Sequence, residues 1–251
     1  MEELSFPSNH YWHNTVVEWV YFWGRLDSGE FFHFAEFVHK MGAAIINARH
    51  WSYNGQYHEE IDDNWKSAVA KSGYTTGKFS FSNPIIGLTF YPQCKPITHS
   101  VKGRHYYSIP YLKGEGFIYP NKEVSAQAWF DHEWRDNLPL SNLALNAWVW
   151  DWISLKMDCG ISVMAYDQRD NSICDITLGD KTIESKFILD GKHLFLHATG
   201  MYLTLEPLFK EEIFDPKFGF KYSEQPFNVI SKGELIGYGM RERTYHGNIQ
   251  S

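Results

Sequence analysis

Apolar and polar positions alternate along most of this chain, and the runs are short. Trp19–Leu26 is closed by Asp27-Ser28-Gly29, Gly77–Ser82 by Asn83-Pro84, and Leu88–Tyr91 by Pro92. Ile153–Met157 is closed by Asp158-Cys159-Gly160, and His193–His197 by Thr199-Gly200. Runs rich in Tyr, Phe, Val, Thr and Trp that end on turn residues read as strands. Helical spacing is scarce, and only Pro139–Trp148 reads as helical or loop-like. The expected fold class is therefore all-β, with antiparallel sheets closing into barrels or sandwiches. The densest strand is Trp129–Trp134. Alternation puts Trp129, Asp131 and Glu133 on one of its faces and Phe130, His132 and Trp134 on the other.

The pattern occurs twice. Trp19-Val20-Tyr21 leads to Leu26-Asp27-Ser28-Gly29 and an apolar strand, as Trp150-Asp151-Trp152 leads to Met157-Asp158-Cys159-Gly160 and another. Trp19 stands to Trp150 as Gly29 stands to Gly160, at a constant offset. Leu88-Thr89-Phe90-Tyr91-Pro92 likewise matches Leu203-Thr204-Leu205-Glu206-Pro207, and Tyr107-Ser108 matches Tyr222-Ser223, at a second, smaller offset. The chain is expected to hold two tandem domains, residues 1–135 and a shorter copy, 136–251.

Composition narrows the function. Aromatic residues make up 17% of the 251 residues and charged ones only 21%. Large rings bury much area and favour β structure. A net charge of −7 speaks against nucleic acid, which needs a basic face. Cys94, Cys159 and Cys174 lack metal-type spacing and read as reduced thiols of a cytoplasmic protein. The start lacks the basic and apolar regions of a signal peptide, and no apolar run nears the ~20 residues of a membrane helix, so stable membrane insertion is not expected.

Several ordered motifs resemble a known group. Glu18-Trp19-Val20-Tyr21-Phe22-Trp23-Gly24-Arg25-Leu26 resembles the opening of the lipocalin-like carotenoid 1,2-hydratase (hydroxyneurosporene synthase)/AttH-like proteins. Lys95-Pro96, Tyr106-Tyr107-Ser108-Ile109-Pro110 and Ala128-Trp129-Phe130-Asp131-His132-Glu133-Trp134 follow in the same order. Trp150-Asp151-Trp152-Ile153-Ser154-Leu155 with Asp158-Cys159-Gly160 resembles a later motif, and Gly237–Glu242 a closing one. Val20 and Trp23 depart from the opening pattern, and Ala147 and Val149 from the later one. The resemblance implies two tandem lipocalin-like β-barrel or sandwich domains with a hydrophobic pocket. It also implies an activity drawn from isoprenoid hydratases and [4+2] cyclases of the Diels-Alderase type. The hydratases' proton-donating aromatic-x-Asp element maps onto Trp129-Phe130-Asp131, and their His-x-aromatic element onto His105-Tyr106-Tyr107.

An acid beside an indole in low dielectric is held neutral, as protonation of an alkene requires, and the π faces steady a developing cation. Asp131 is accordingly the expected proton donor, with Trp129 and Tyr107 lining the site. Trp19, Tyr21, His105, Glu133, Trp150 and Trp152 are the expected substrate contacts. The competing reading is structural, with the acids of this strand holding Arg25, Arg104 or Arg135 and Glu18 and Asp151 anchoring strand ends. His10, His13, His33, His39, His50, His58 and His99 form no zinc-type pattern, and no phosphate loop or nucleophile elbow is present. Neither metal nor cofactor is expected.

Three functions fit these residues. The first is a cofactor-independent enzyme that hydrates or cyclises a hydrophobic terpenoid or polyene by proton transfer. The second is a pericyclase that folds its substrate for [4+2] closure. The third is a lipocalin-like carrier of a lipophilic ligand.

Overall fold

The computed structural model describes residues 3–6, 17–41, 44–62, 72–74, 79–82, 85–101, 104–135, 150–168, 171–214 and 220–246. The segment Pro139–Trp148 lies outside the described residues. The chain divides into two compact units, Met1–Leu138 and Pro139–Ser251. Among the described residues every regular element is a strand. The all-β expectation holds, and no helix there is long and apolar enough to cross a membrane.

The first unit contains β1 (Glu3–Phe6), β2 (Val17–Leu26), β3 (Phe31–Met41), β4 (Ala44–Tyr53), β5 (Gln56–Asp62) and β6 (Ser72–Tyr74). It continues with β7 (Phe79–Ser82), β8 (Ile86–Pro92), β9 (Ile97–Val101), β10 (Arg104–Ile118) and β11 (Lys122–Arg135). They form one sheet in the order β5-β4-β3-β2-β11-β10-β8-β7-β1-β6, with β9 also paired to β10. Only β1 and β6 run parallel; the other pairings in this sheet are antiparallel.

This sheet is curled. Phe32 on β3 lies 6.1 Å from Phe90 on β8, and Phe22 on β2 lies 5.9 Å from Phe79 on β7. Three strands separate β3 from β8, so a flat sheet would hold them roughly 19 Å apart at about 4.8 Å per strand. The concave face thus closes on itself around Val20, Phe22, Phe32, Phe34, Phe90 and Phe130, all 2% exposed or less.

The second unit contains β12 (Asp151–Met157), β13 (Ile161–Gln168), β14 (Asn171–Leu178), β15 (Lys181–Glu184) and β16 (Phe187–Asp190). β17 (His193–Leu196), β18 (Met201–Pro207), β19 (Glu212–Phe214), β20 (Phe220–Ser231) and β21 (Glu234–His246) complete it. Its order, β15-β14-β13-β12-β21-β20-β18-β17-β16 with β19 beside β20, repeats the plan of the first. In both units the first long strand pairs with the last, β2 with β11 and β12 with β21. The turns agree atom for atom. Gly29 N–H donates to Leu26 O and Gly160 N–H to Met157 O, both at 2.9 Å, with φ of 105° and 87°. Asp27 N–H reaches Ser125 O as Asp158 N–H reaches Ile236 O. The core of this second copy is aliphatic, centred on Ile153, Leu155, Val163, Leu194, Leu203 and Val229.

The first-to-last strand contact is tight. A methyl group at Gly24 would lie 2.4 Å from the Gln127 carbonyl oxygen and 2.6 Å from the Phe32 ring. Gly24→Ala is expected to destabilise the protein by about 1–3 kcal/mol through overpacking, read from urea unfolding midpoints. An unchanged midpoint would show that the strand pair has room to spare.

Candidate functional site

β11 is buried on both faces from Trp129 to Glu133. Its even-numbered face looks into the concave core and its odd-numbered face points the other way, as the alternation predicts. The two faces carry separate clusters of ionisable groups.

On the odd-numbered face Asp131 is 3% exposed. The Tyr106 hydroxyl donates to its Oδ1 at 2.6 Å, and the Trp129 indole N–H donates to the same oxygen at 2.9 Å. Ser108, fully buried and directly opposite Asp131 on β10, sets a third polar group beside the carboxyl. Burial pushes the Asp131 carboxyl up to about 7. Hydrogen bonding from Tyr106, Ser108 and Trp129 opposes that rise by stabilising the carboxylate, and the negative Glu133 adds to it. Trp129 stacks on Trp23 at 6.1 Å, and Trp23 on Phe31 at 5.6 Å, so a slab of rings lies beside the acid.

Two residues along, Glu133 takes Arg104 on one carboxylate oxygen and Arg135 Nε, at 3.2 Å, on the other. The Arg135 guanidinium also sits 5.6 Å from the Trp19 ring centroid. Tyr21 is on this face, 6.3 Å from His33, which lies 5.4 Å from His50.

The even-numbered face holds the second cluster. His132 and Glu18, 0% and 2% exposed, share a hydrogen bond of 2.7 Å between Nε2 and Oε1. Trp134 lies 4.9 Å from His132 and stacks on His105 at 5.3 Å. Tyr107 meets Phe130 edge-on at 6.3 Å, and burial lifts its phenol above the usual range.

The structure therefore brings Asp131, Trp129, Glu133, Trp19 and Tyr21 onto one face, and places Tyr107 and His105 on the other. Trp150 and Trp152 lie in the second unit, both buried. The Trp150 N–H donates to Thr244 Oγ1 at 2.9 Å, and Trp152 points away from the aliphatic core. Asp151 pairs with Arg241, as expected for a strand anchor. Glu18 pairs with His132. Tyr106 was missed. The β10–β11 register, with Ser108 opposite Asp131 and Tyr106 opposite Glu133, puts Tyr106 rather than Tyr107 on the Asp131 face. Counting back from the Ile118–Lys122 pair would set Tyr107 opposite Glu133; the irregularity between Ile109 and Leu112 shifts the register by one residue and exchanges the two tyrosines.

Fold and site together define the class: a lipocalin-like all-β protein of two repeated units with a buried carboxyl in an aromatic wall. The AttH-like family model matches residues 95–184. The fold is that of a crystal structure assigned as AttH from Nitrosomonas europaea, at TM-score 0.71 and 19% identity, covering 96% of this chain and 97% of that one. It is also similar to kievitone hydratase from Nectria haematococca, at TM-score 0.59 and 12% identity over 93% and 90% of the two chains. CghA matches at TM-score 0.51 and 12% identity over 99% and 100%. No curated protein matches in sequence. The AttH-like match spans 90 of the 251 residues and includes the Trp129–Trp134 and Trp150–Leu155 motifs.

The Asp131 environment predicts a pH dependence of stability. Its folded-state value, about 7, stands above the ordinary 3.8, so the folded protein holds this proton more tightly than the unfolded chain. That contribution is complete below about pH 4 and is lost as pH rises through 7. Unfolding free energies of the wild type and Asp131→Asn at pH 5 and pH 8 are expected to diverge by a few kcal/mol, the variant losing less stability at the higher pH. Parallel pH profiles for the two proteins would refute a buried, neutral Asp131.

Proposed function

We propose that the chain is a cofactor-independent enzyme that protonates a C=C bond of a hydrophobic terpenoid or polyene substrate, leading to hydration or cyclisation. The observation that carries this reading is Asp131: a buried carboxyl whose pKa is raised to about 7, with the Tyr106 and Trp129 donors on its Oδ1. A general acid works best with its pKa near the operating pH. In the reaction the π pair takes the Asp131 carboxyl proton to form a C–H bond, and the adjacent carbon becomes cationic. The Tyr106 and Trp129 donors stabilise the carboxylate left behind, and the Trp129–Trp23 slab lies beside the charge. Water then adds to the cation and gives its proton back to the Asp131 carboxylate, or a second double bond adds and closes a ring, and the cation so formed loses a proton to the same carboxylate to leave a new C=C bond. The name of the similar kievitone hydratase supports water addition as the first reaction to test. A cytoplasmic setting fits the free thiols of Cys94, Cys159 and Cys174.

The test is turnover of a panel of prenylated, terpenoid and polyene substrates in D2O. The expected product carries carbon-bound deuterium, and the rate falls as pH rises above about 7. Asp131→Asn is expected to lower kcat by about 10²- to 10⁴-fold with the fold intact. Ring closure without deuterium would make the protein a pericyclase, and tight binding without turnover would make it a carrier.

A further inference from the structure

The odd-numbered face of the first sheet has a second feature, far from Asp131. A groove enclosing about 790 Å³ runs across β7, β8, β10 and β11. Ser125, at its edge, is six residues from Asp131 on the same strand, roughly 20 Å away. The groove is built from two rows in register. One row is Ser80, Thr89, Glu115 and Ser125; the other is Ser82, Gly87, Phe117 and Glu123. Across four strands the rows span roughly 14 Å.

Three aromatic side chains line this groove while facing solvent: Tyr91 at 39% exposure, Phe117 at 48% and Tyr119 at 51%. Exposed rings gathered in one concavity mark a recognition surface rather than scatter. Gly87 leaves the floor beside Phe117 bare, and the Tyr119 hydroxyl leans over it, 2.9 Å from where a Cβ would stand. Around the rings stand hydroxyls and the Glu115 and Glu123 carboxylates. None of the lining side chains is basic.

We propose that this groove binds a neutral oligosaccharide, with a sugar ring's C–H face on Phe117 and its hydroxyls donating to Glu115, Glu123 and the serine and threonine oxygens. The charge of the two carboxylates opposes anions. An organic cation gains little here, because both glutamates are exposed and a cation over an exposed ring is worth only about 0.5–1 kcal/mol. A polyhydroxylated chain instead meets an acceptor in each row through charge-assisted or hydroxyl bonds, while dispersion against the rings adds along its length. The extent of the groove across four strands suits a chain of several sugar units better than one compact group.

The experiment titrates the full chain with cellohexaose, xylohexaose and chitohexaose in turn, and separately with spermidine, by calorimetry and by NMR. At least one hexaose is expected to bind saturably, more tightly than its disaccharide, with little response to added salt. Phe117→Ala is expected to weaken that binding about tenfold or more, and Tyr119→Ala to weaken it too, with unfolding temperatures unchanged. Asp131→Asn should bind the sugar as the wild type does. Silence with all three hexaoses, salt-sensitive binding of spermidine alone, or sugar binding indifferent to both aromatic substitutions would overturn the proposal.

Discussion

A strand buried on both faces must satisfy every charge it carries from within the protein, and β11 is such a strand from Trp129 to Glu133. Leaving an isolated charge in an apolar interior costs far more than the few kcal/mol of a domain's net stability. Consecutive residues meet this demand in three ways. Asp131 stays protonated up to about pH 7 and accepts two hydrogen bonds on one oxygen. His132 shares a hydrogen bond with Glu18 across the β2–β11 pair. Glu133 is held by the guanidinium groups of Arg104 and Arg135. Asp131 thus meets the demand by neutrality, where its neighbours meet it by pairing.

The second copy shows the same backbone put to another use. By the matched turns, Val20 corresponds to Asp151, Phe130 to Arg241, and His132 to Arg243. Arg241 forms a two-point pair with Asp151 and also reaches the Gly191 carbonyl at 2.7 Å. Arg243 pairs with Glu211, which also accepts from Ser223. The planar guanidinium suits such paired contacts and ties strands together. Glu242 occupies the position of Asp131, but Trp129 has become Met240, so the indole donor of the first copy is gone. Duplication preserved the scaffold while the concave face of the second copy became aliphatic and clamped by ion pairs.

The rings on β11 and β2 pack both faces of the strand pair at once. Phe22 and Phe130, 4.8 Å apart, close the concave core. Trp23 and Trp129, their immediate neighbours in sequence, build the wall beside Asp131. A large aromatic share is what a strand needs when neither face meets water, because each residue then buries its full side chain.

Much of this was legible in the sequence, because a period of two and the turn residues are local properties. They marked β2, β8, β11, β12 and β18, the sorting of Trp129–Trp134 into two faces, and the repeat that the shared strand order now displays. What lay beyond the sequence was which residues of different strands share a face. Tyr106 and Tyr107 are indistinguishable by composition, yet the register of β10 against β11 gives Asp131 the first and the concave core the second. Glu18 and His132 stand far apart in the chain and meet only because the first and last strands of the unit pair. The curl of the sheet decided which face is the interior, since it brings Phe32 of β3 against Phe90 of β8. Alternation along a strand is set by the backbone of that strand alone. Register and curvature are set by the whole sheet, so the partners of Asp131 and His132 belong to the tertiary structure.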